Sequence, residues 1–148
     1  MPEYLETTVD KFVFRVATDR LFSPDGVWVQ TDGNRVRVGM TDYLQQRNGD
    51  VAFAHVKSVG TKLAVGDEFA EIETVKANVS LCVPISGTVL EVNSALELSP
   101  EVINESPYDK GWLAVIEVAD LETEQTKLLT PEVYLAAIRT QAEQELNG

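Results

Sequence analysis

Between residues 12 and 118 the apolar positions fall in short runs of β-forming residues separated by turn signals, a pattern that predicts strands. The first run is Phe12-Val13-Phe14-Arg15-Val16. Val27-Trp28-Val29-Gln30 and Arg35-Val36-Arg37-Val38-Gly39 flank Thr31-Asp32-Gly33-Asn34, where Asp-Gly followed by Asn is a strong hairpin signal. Further β-runs occupy residues 51–56, 68–75, 79–83, 88–92 and 112–118. Asn48-Gly49-Asp50, Val65-Gly66-Asp67, Ser86-Gly87 and Lys110-Gly111 separate them, and glycine at such breaks supplies backbone angles that other residues avoid. Many short strands at close spacing predict a compact sandwich or barrel rather than a β-α-β sheet.

Helical signals are fewer. Residues 41–47 predict one or two turns ending near Gly49. Ser99-Pro100-Glu101 opens a short helix, with Ser99 as N-cap and Pro100 at the first helical position. The clearest helix is C-terminal: Thr130 caps it, Pro131 opens it, and Leu135, Ile138, Ala142 and Leu146 form its apolar stripe. A preceding turn or short helix is expected around residues 122–129. Neither a linker nor a low-complexity segment interrupts the chain. The expectation is one domain over residues 1–148, with a β core at about 12–118 and a helical extension at about 121–147.

Charge narrows the function. The 148 residues include 24 Asp+Glu against 12 Lys+Arg, a formal net charge of -12, with a sequence pI near 4.4. Such a chain lacks the clustered cations that a phosphate backbone demands, which argues against nucleic acid. It is steered instead toward basic patches on other proteins. One cysteine excludes an internal disulfide framework and multi-thiolate metal sites, and no metal is expected. No apolar run approaches the roughly 18 residues of a membrane span. Met1-Pro2-Glu3-Tyr4-Leu5-Glu6 lacks the basic-then-apolar order of a secretory signal. The composition therefore points to a small cytoplasmic domain.

The densest functional information lies in Ala70-Glu71-Ile72-Glu73-Thr74-Val75-Lys76-Ala77-Asn78-Val79-Ser80. Two β-runs approach each other and leave Lys76 near the tip of their connecting turn. A strand end held by a rigid ladder positions a side chain better than a free loop does, while leaving the amine exposed. On these residues alone, an ordinary solvated hairpin lysine explains the pattern better than a modification site does.

Glu73-Thr74-Val75-Lys76-Ala77, followed by Val83-Pro84-Ile85-Ser86-Gly87-Thr88-Val89-Leu90-Glu91-Val92-Asn93, resembles the lipoyl-lysine hairpin of glycine-cleavage H proteins. The similarity continues through Ala95-Leu96, Ser99-Pro100-Glu101-Val102-Ile103-Asn104, Ser106-Pro107-Tyr108 and Gly111-Trp112-Leu113. Upstream, Val38-Gly39-Met40-Thr41 and Gly49-Asp50-Val51-Ala52-Phe53 fit as well, so the likeness spans roughly residues 22–135. It implies a mainly β fold, the barrel-sandwich hybrid of lipoyl and biotinyl carriers, with short helices and a C-terminal helix. Biotinyl domains place Met on both sides of their lysine, and lipoyl domains of 2-oxoacid dehydrogenases place Asp before it. Val75 and Ala77 match neither.

The resemblance implies a carrier without a catalytic site, bearing lipoate in amide linkage on Lys76. Its implied partners are a lipoate-attaching enzyme, dihydrolipoyl dehydrogenase, and either glycine-cleavage enzymes or a heterodisulfide-reductase-like complex. Departures from the glycine-cleavage pattern separate the last two. In Phe22-Ser23-Pro24-Asp25-Gly26-Val27-Trp28-Val29, Gly26 and Val27 stand where those proteins have His and Glu, and Ser80 stands where they commonly have Asp. The missing carboxylates sit where the aminomethyl cargo docks, and a cationic cargo favours carboxylates nearby. The pattern is thus most like the lipoate-binding proteins of sulfur oxidation, with sulfur or electrons as cargo. The glycine-cleavage carrier is the alternative, and a non-lipoylated interaction module is a third. Cys82, on the strand leaving the hairpin, is a candidate for mixed-disulfide exchange with the arm. Cys82, Val27, Ser80 and His55 are the candidate arm contacts. A surface or packing role suits His55 better, and a small buried hydrophobe is the commoner fate of a lone cysteine such as Cys82. Trp28 and Trp112 are expected to pack the core.

Overall fold

A computed structural model describes residues 3–147, so Met1 and Pro2 of the acidic N-terminal stretch lie outside the described residues. The strands are β1 (Tyr4–Val9), β2 (Phe12–Ala17), β3 (Leu21–Phe22), β4 (Val27–Asp32), β5 (Arg35–Met40), β6 (Val51–Val56), β7 (Lys62–Leu63), β8 (Glu68–Thr74), β9 (Asn78–Cys82), β10 (Gly87–Val92) and β11 (Ala114–Glu117). The helices are α1 (Asp42–Asn48), α2 (Val102–Glu105), α3 (Leu121–Glu124) and α4 (Pro131–Asn147), with single 3-10 turns at Ser94–Leu96 and Gln125–Lys127.

One sheet runs β3-β4-β5-β11-β10-β7 and a second runs β6-β8-β9, every pairing antiparallel. The expected hairpin at Asp32-Gly33-Asn34 joins β4 to β5, with Gly33 at φ 65. The main core lies between the two sheets and is filled by aliphatic residues and Phe69. A second apolar layer holds Phe14, Phe22, Trp28, Tyr43, Tyr108, Tyr134 and Ile138. Strand β4 separates these layers, which is why Val27, Trp28 and Val29 are all fully buried. Alternation sends Val27 and Val29 into the main core and Trp28 into the second layer. The fold is mainly β with a C-terminal helix.

Three local expectations are corrected. Strands begin at Tyr4, not at residue 12, because Tyr4–Val9 pairs with β2 as a separate two-stranded ribbon. Its turn is made by Asp10, at φ 56, and Lys11, so the tight connection carries neither Gly nor Asn as a signal. Helix α2 starts at Val102, and Ser99 supplies its backbone carbonyl to the Val102 N–H at 3.1 Å instead of a side-chain cap. Helix α4 buries Pro131, Tyr134, Ile138 and Ala142, whereas Leu146 stays exposed. Its last turn reaches the tip of the ribbon, where Leu146 borders open clefts. Thr130 does cap α4, accepting from the Val133 N–H at 3.3 Å.

Candidate functional site

Strands β8 and β9 run in register to the pair Glu73↔Asn78, and Lys76 occupies the tip between them. Thr74 shapes the turn. Its N–H and hydroxyl both donate to the Ala77 carbonyl, at 2.9 and 2.8 Å, and its hydroxyl oxygen accepts from the N–H groups of Lys76 and Ala77. Val75 and Lys76 are exposed.

The tip leans on the segment after α1. The Val75 N–H donates to the Asp50 carbonyl at 3.0 Å, and Lys76 Nζ donates to the Arg47 carbonyl at 3.3 Å. Gly49 turns this segment at φ 79, and a Cβ there would lie 3.4 Å from Val75 Cγ2. Asn104 fixes it from below. Its Oδ1 accepts from the Val51 N–H at 2.9 Å, and its Nδ2 donates to the Gly49 carbonyl at 3.0 Å and to Gln45 Oε1 at 2.9 Å. The lysine therefore stands on a hydrogen-bonded platform, a geometry that holds an amine outward without burying it.

A cleft of about 310 Å³ opens beside Lys76, which lines it. Phe12, Phe14, Tyr43, Ala142 and Leu146 form its apolar wall. Arg47 and Glu145 also line it and form an ion pair at 2.7 Å. Burial pushes the Tyr43 phenol above its ordinary value, with Glu145 raising it further and Arg47 opposing. The phenol stays neutral across the physiological range and serves the cleft as apolar surface with a polar tip.

The expected contacts sit elsewhere. Val27 is corrected as an arm contact: it points into the main core and is 0% exposed. Ser80 is exposed, and its hydroxyl donates to Glu68 Oε2 at 2.6 Å. His55 is exposed, with Nε2 3.5 Å from Glu73 Oε1. Cys82 is a half-buried free thiol whose register partner is Glu68. Glu71 pairs with both His55 and Ser80, so alternation puts these two and Cys82 on one face of the β6-β8-β9 sheet. None of the four lines the cleft with Lys76. Trp28 is fully buried and Trp112 partly so, as expected. Asn104 and the cleft wall escape sequence reading, since neither carries a local signal: both depend on segments distant in the chain. Among the described residues no group of three or more His, Cys, Asp or Glu is placed to hold a metal. None of the described helices is long and apolar enough to cross a membrane.

Known proteins resemble this chain over most of its length. The family profile "Glycine cleavage H-protein" matches residues 20–141. The glycine cleavage system H protein of Geobacillus thermodenitrificans is 44% identical over 117 residues, covering 79% of this chain and 91% of that protein. Its counterpart in Bacillus subtilis is 40% identical over 119 residues, covering 80% and 93%. A crystal structure of the Mycobacterium marinum H protein superposes with a TM-score of 0.73 at 30% identity, covering 80% of this chain and 95% of that one.

Proposed function

This chain belongs to the glycine cleavage H-protein family, and from that premise we propose that Lys76 is its lipoyl attachment site and glycine cleavage its pathway. Glycine cleavage H proteins are non-catalytic carriers with lipoate covalently attached to a lysine. The observation that carries the reading is the lysine at the tip of the β8–β9 hairpin, exposed and braced on Asp50 and Arg47.

The residues present fit the group. An exposed primary amine at a rigid turn is open to acylation, and its hydrogen bond to the Arg47 carbonyl is long, at 3.3 Å. Apolar surface adjoins it in the cleft. Lipoate, when bound, supplies a dithiolane that exchanges with thiols and carries cargo through sulfur. The chain's own part is to orient the attachment point and to move with it between partner enzymes, keeping the cargo at high effective concentration. Glycine-cleavage enzymes are the expected partners, and the net charge of -12 favours basic docking patches on them.

One observation favours a second reading, a carrier of sulfur for a heterodisulfide-reductase-like complex. Ser80, the exposed one of the two positions expected to face a cationic cargo, bears a hydroxyl in place of a carboxylate; Val27 lies in the main core and faces no cargo. The relatives found are glycine cleavage proteins and support the first reading. Intact mass tests the shared premise. Protein produced with a lipoate-attaching enzyme gains one lipoyl group, and Lys76→Ala gains none; modification of that variant overturns the assignment. Glycine decarboxylation with glycine-cleavage partners then separates the pathways, since turnover far below that of a relative such as the Bacillus subtilis protein points to sulfur.

A further inference from the structure

We propose that the cleft between the β1–β2 ribbon and the end of α4 is a resting site for the apolar part of the lipoyl arm on Lys76; this rests on the lipoyl reading above. The occupant follows from the cleft's own composition. Lys76 is one of its lining residues, so a group on Nζ starts inside it. Phe12 is 43% exposed and Leu146 53% exposed, and both border this cleft. Large apolar side chains left facing a concavity lower the free energy when an apolar group covers them. A cleft of about 310 Å³ lies at the lower end of small-molecule sites, about 300–1,000 Å³.

Acylation also changes what the lysine is. The ammonium, attracted to the carbonyl end of α1 through Arg47, becomes a neutral amide that still has one N–H to donate there. A neutral amide followed by an alkyl chain and a cyclic disulfide has no charge to desolvate against Phe12, Phe14 and Leu146. The cleft therefore suits the uncharged, unloaded arm. It is separate from the dock implied by the resemblance: Ser80 does not line it, and Asp25 and Gly26 border a different cleft, with Leu44, Tyr134 and Gln141. Val9, Phe12, Phe14, Ala142, Glu145 and Leu146 all lie outside residues 20–141, the span matched by the family profile. Most of the apolar wall thus comes from segments flanking the matched span, while Tyr43, Gln46, Arg47 and Lys76 come from within it.

The test uses full-length lipoylated protein in a Cys82→Ser background, which leaves the arm as the only source of thiols. Amide spectra of the lipoylated and unmodified forms are compared, and the rate at which a water-soluble phosphine reduces the arm is followed by thiol labelling. Shift changes are expected at Val9, Phe12, Phe14 and Ala142 as well as at the hairpin. Phe12→Asp and Leu146→Asp, each checked for folding by its thermal melt, are expected to speed reduction about five-fold, equivalent to about 1 kcal/mol at 1.4 kcal/mol per tenfold. Leu98→Asp, at a site 92% exposed outside the cleft, should leave the rate unchanged. Shift changes confined to residues 73–79, or equal rates in wild type and both cleft variants, overturn the resting site. Absence of the lipoyl mass overturns the lipoyl reading itself, a separate result read before the rates.

Discussion

Replacing Asn104 by alanine tests whether the platform under Lys76 is structural. The change removes three hydrogen bonds, from the Val51 N–H and to Gly49 O and Gln45 Oε1. At about 1 kcal/mol net for each bond, the full loss is about 3 kcal/mol. Val51 is buried and its N–H has no ready substitute, whereas half-exposed Gly49 can recruit water. The expected destabilisation is therefore about 2–3 kcal/mol, or roughly 6–10 °C in melting temperature for a chain of this size. Because Asp50 O receives the Val75 N–H, amide exchange at Val75 should accelerate beyond the global change. Asn104→Asp sharpens the argument. The carboxylate keeps an acceptor for Val51 but turns another acceptor toward Gly49 O and Gln45 Oε1. Its protonated form can donate, so the folded state raises this carboxyl's pKa above the unfolded value of about 3.9. The recovery is thus full only below about pH 3.9 and fades as pH rises through the folded value. Urea unfolding at neutral and acid pH measures both variants. An aspartate variant as stable as wild type at pH 7, or an alanine variant losing less than about 0.5 kcal/mol, would refute the clamp.

Other expectations follow from the second apolar layer. A Cβ at Gly39 would collide with Trp28 Cζ2 and lie 2.7 Å from its Nε1, and that nitrogen donates to the Pro107 carbonyl at 2.9 Å. Gly39→Ala should cost about 3 kcal/mol through overpacking and a lost hydrogen bond; a change under about 1 kcal/mol in urea unfolding would contradict this. Burial raises the phenols of Tyr108 and Tyr134 above their ordinary value of 10.0. Their stabilising effect is complete below the unfolded value near 10 and is lost as pH rises above it, because the unfolded chain releases those protons first. Denaturation midpoints should therefore fall between about pH 9 and pH 11. Tyr134→Phe should flatten that fall while forfeiting the 2.7 Å bond to Thr41, about 1 kcal/mol. An unchanged slope would count against Tyr134 as a source.

The strands of the barrel were legible because their breaks carry chemistry: Asp32-Gly33-Asn34 demands a tight turn, and the hairpin formed there. The lysine tip was legible for a similar reason, as two β-runs with nothing between them but a short turn. The β1–β2 ribbon was not. Asp10 adopts a positive φ without advertising it, and the ribbon's partner, α4, lies at the other end of the sequence. Val27 was singled out by the Glu that the family pattern has at its position, which says nothing of which way the side chain points; β4 is buried on both faces and turns Val27 toward the main core. Asn104 belongs to a recognisable segment, yet its role depends on Gln45 and Gly49, more than fifty residues away.

Distance along the chain also sets the order in which the molecule is built. The hydrogen bond from Arg139 to Thr7 joins α4 to the ribbon across 132 residues. During synthesis at about 5–20 residues per second, the ribbon leaves the ribosome many seconds before the helix that it packs against. A lone two-stranded hairpin is marginal in water, so the cleft wall is the last part of the protein to become permanent. The barrel and its lysine hairpin can be complete before that. A nascent chain with the barrel formed would therefore hold Lys76 on its turn, braced by Arg47 and Asp50, before the ribbon and α4 close the cleft beside it. Only the finished chain gives the lysine its cleft.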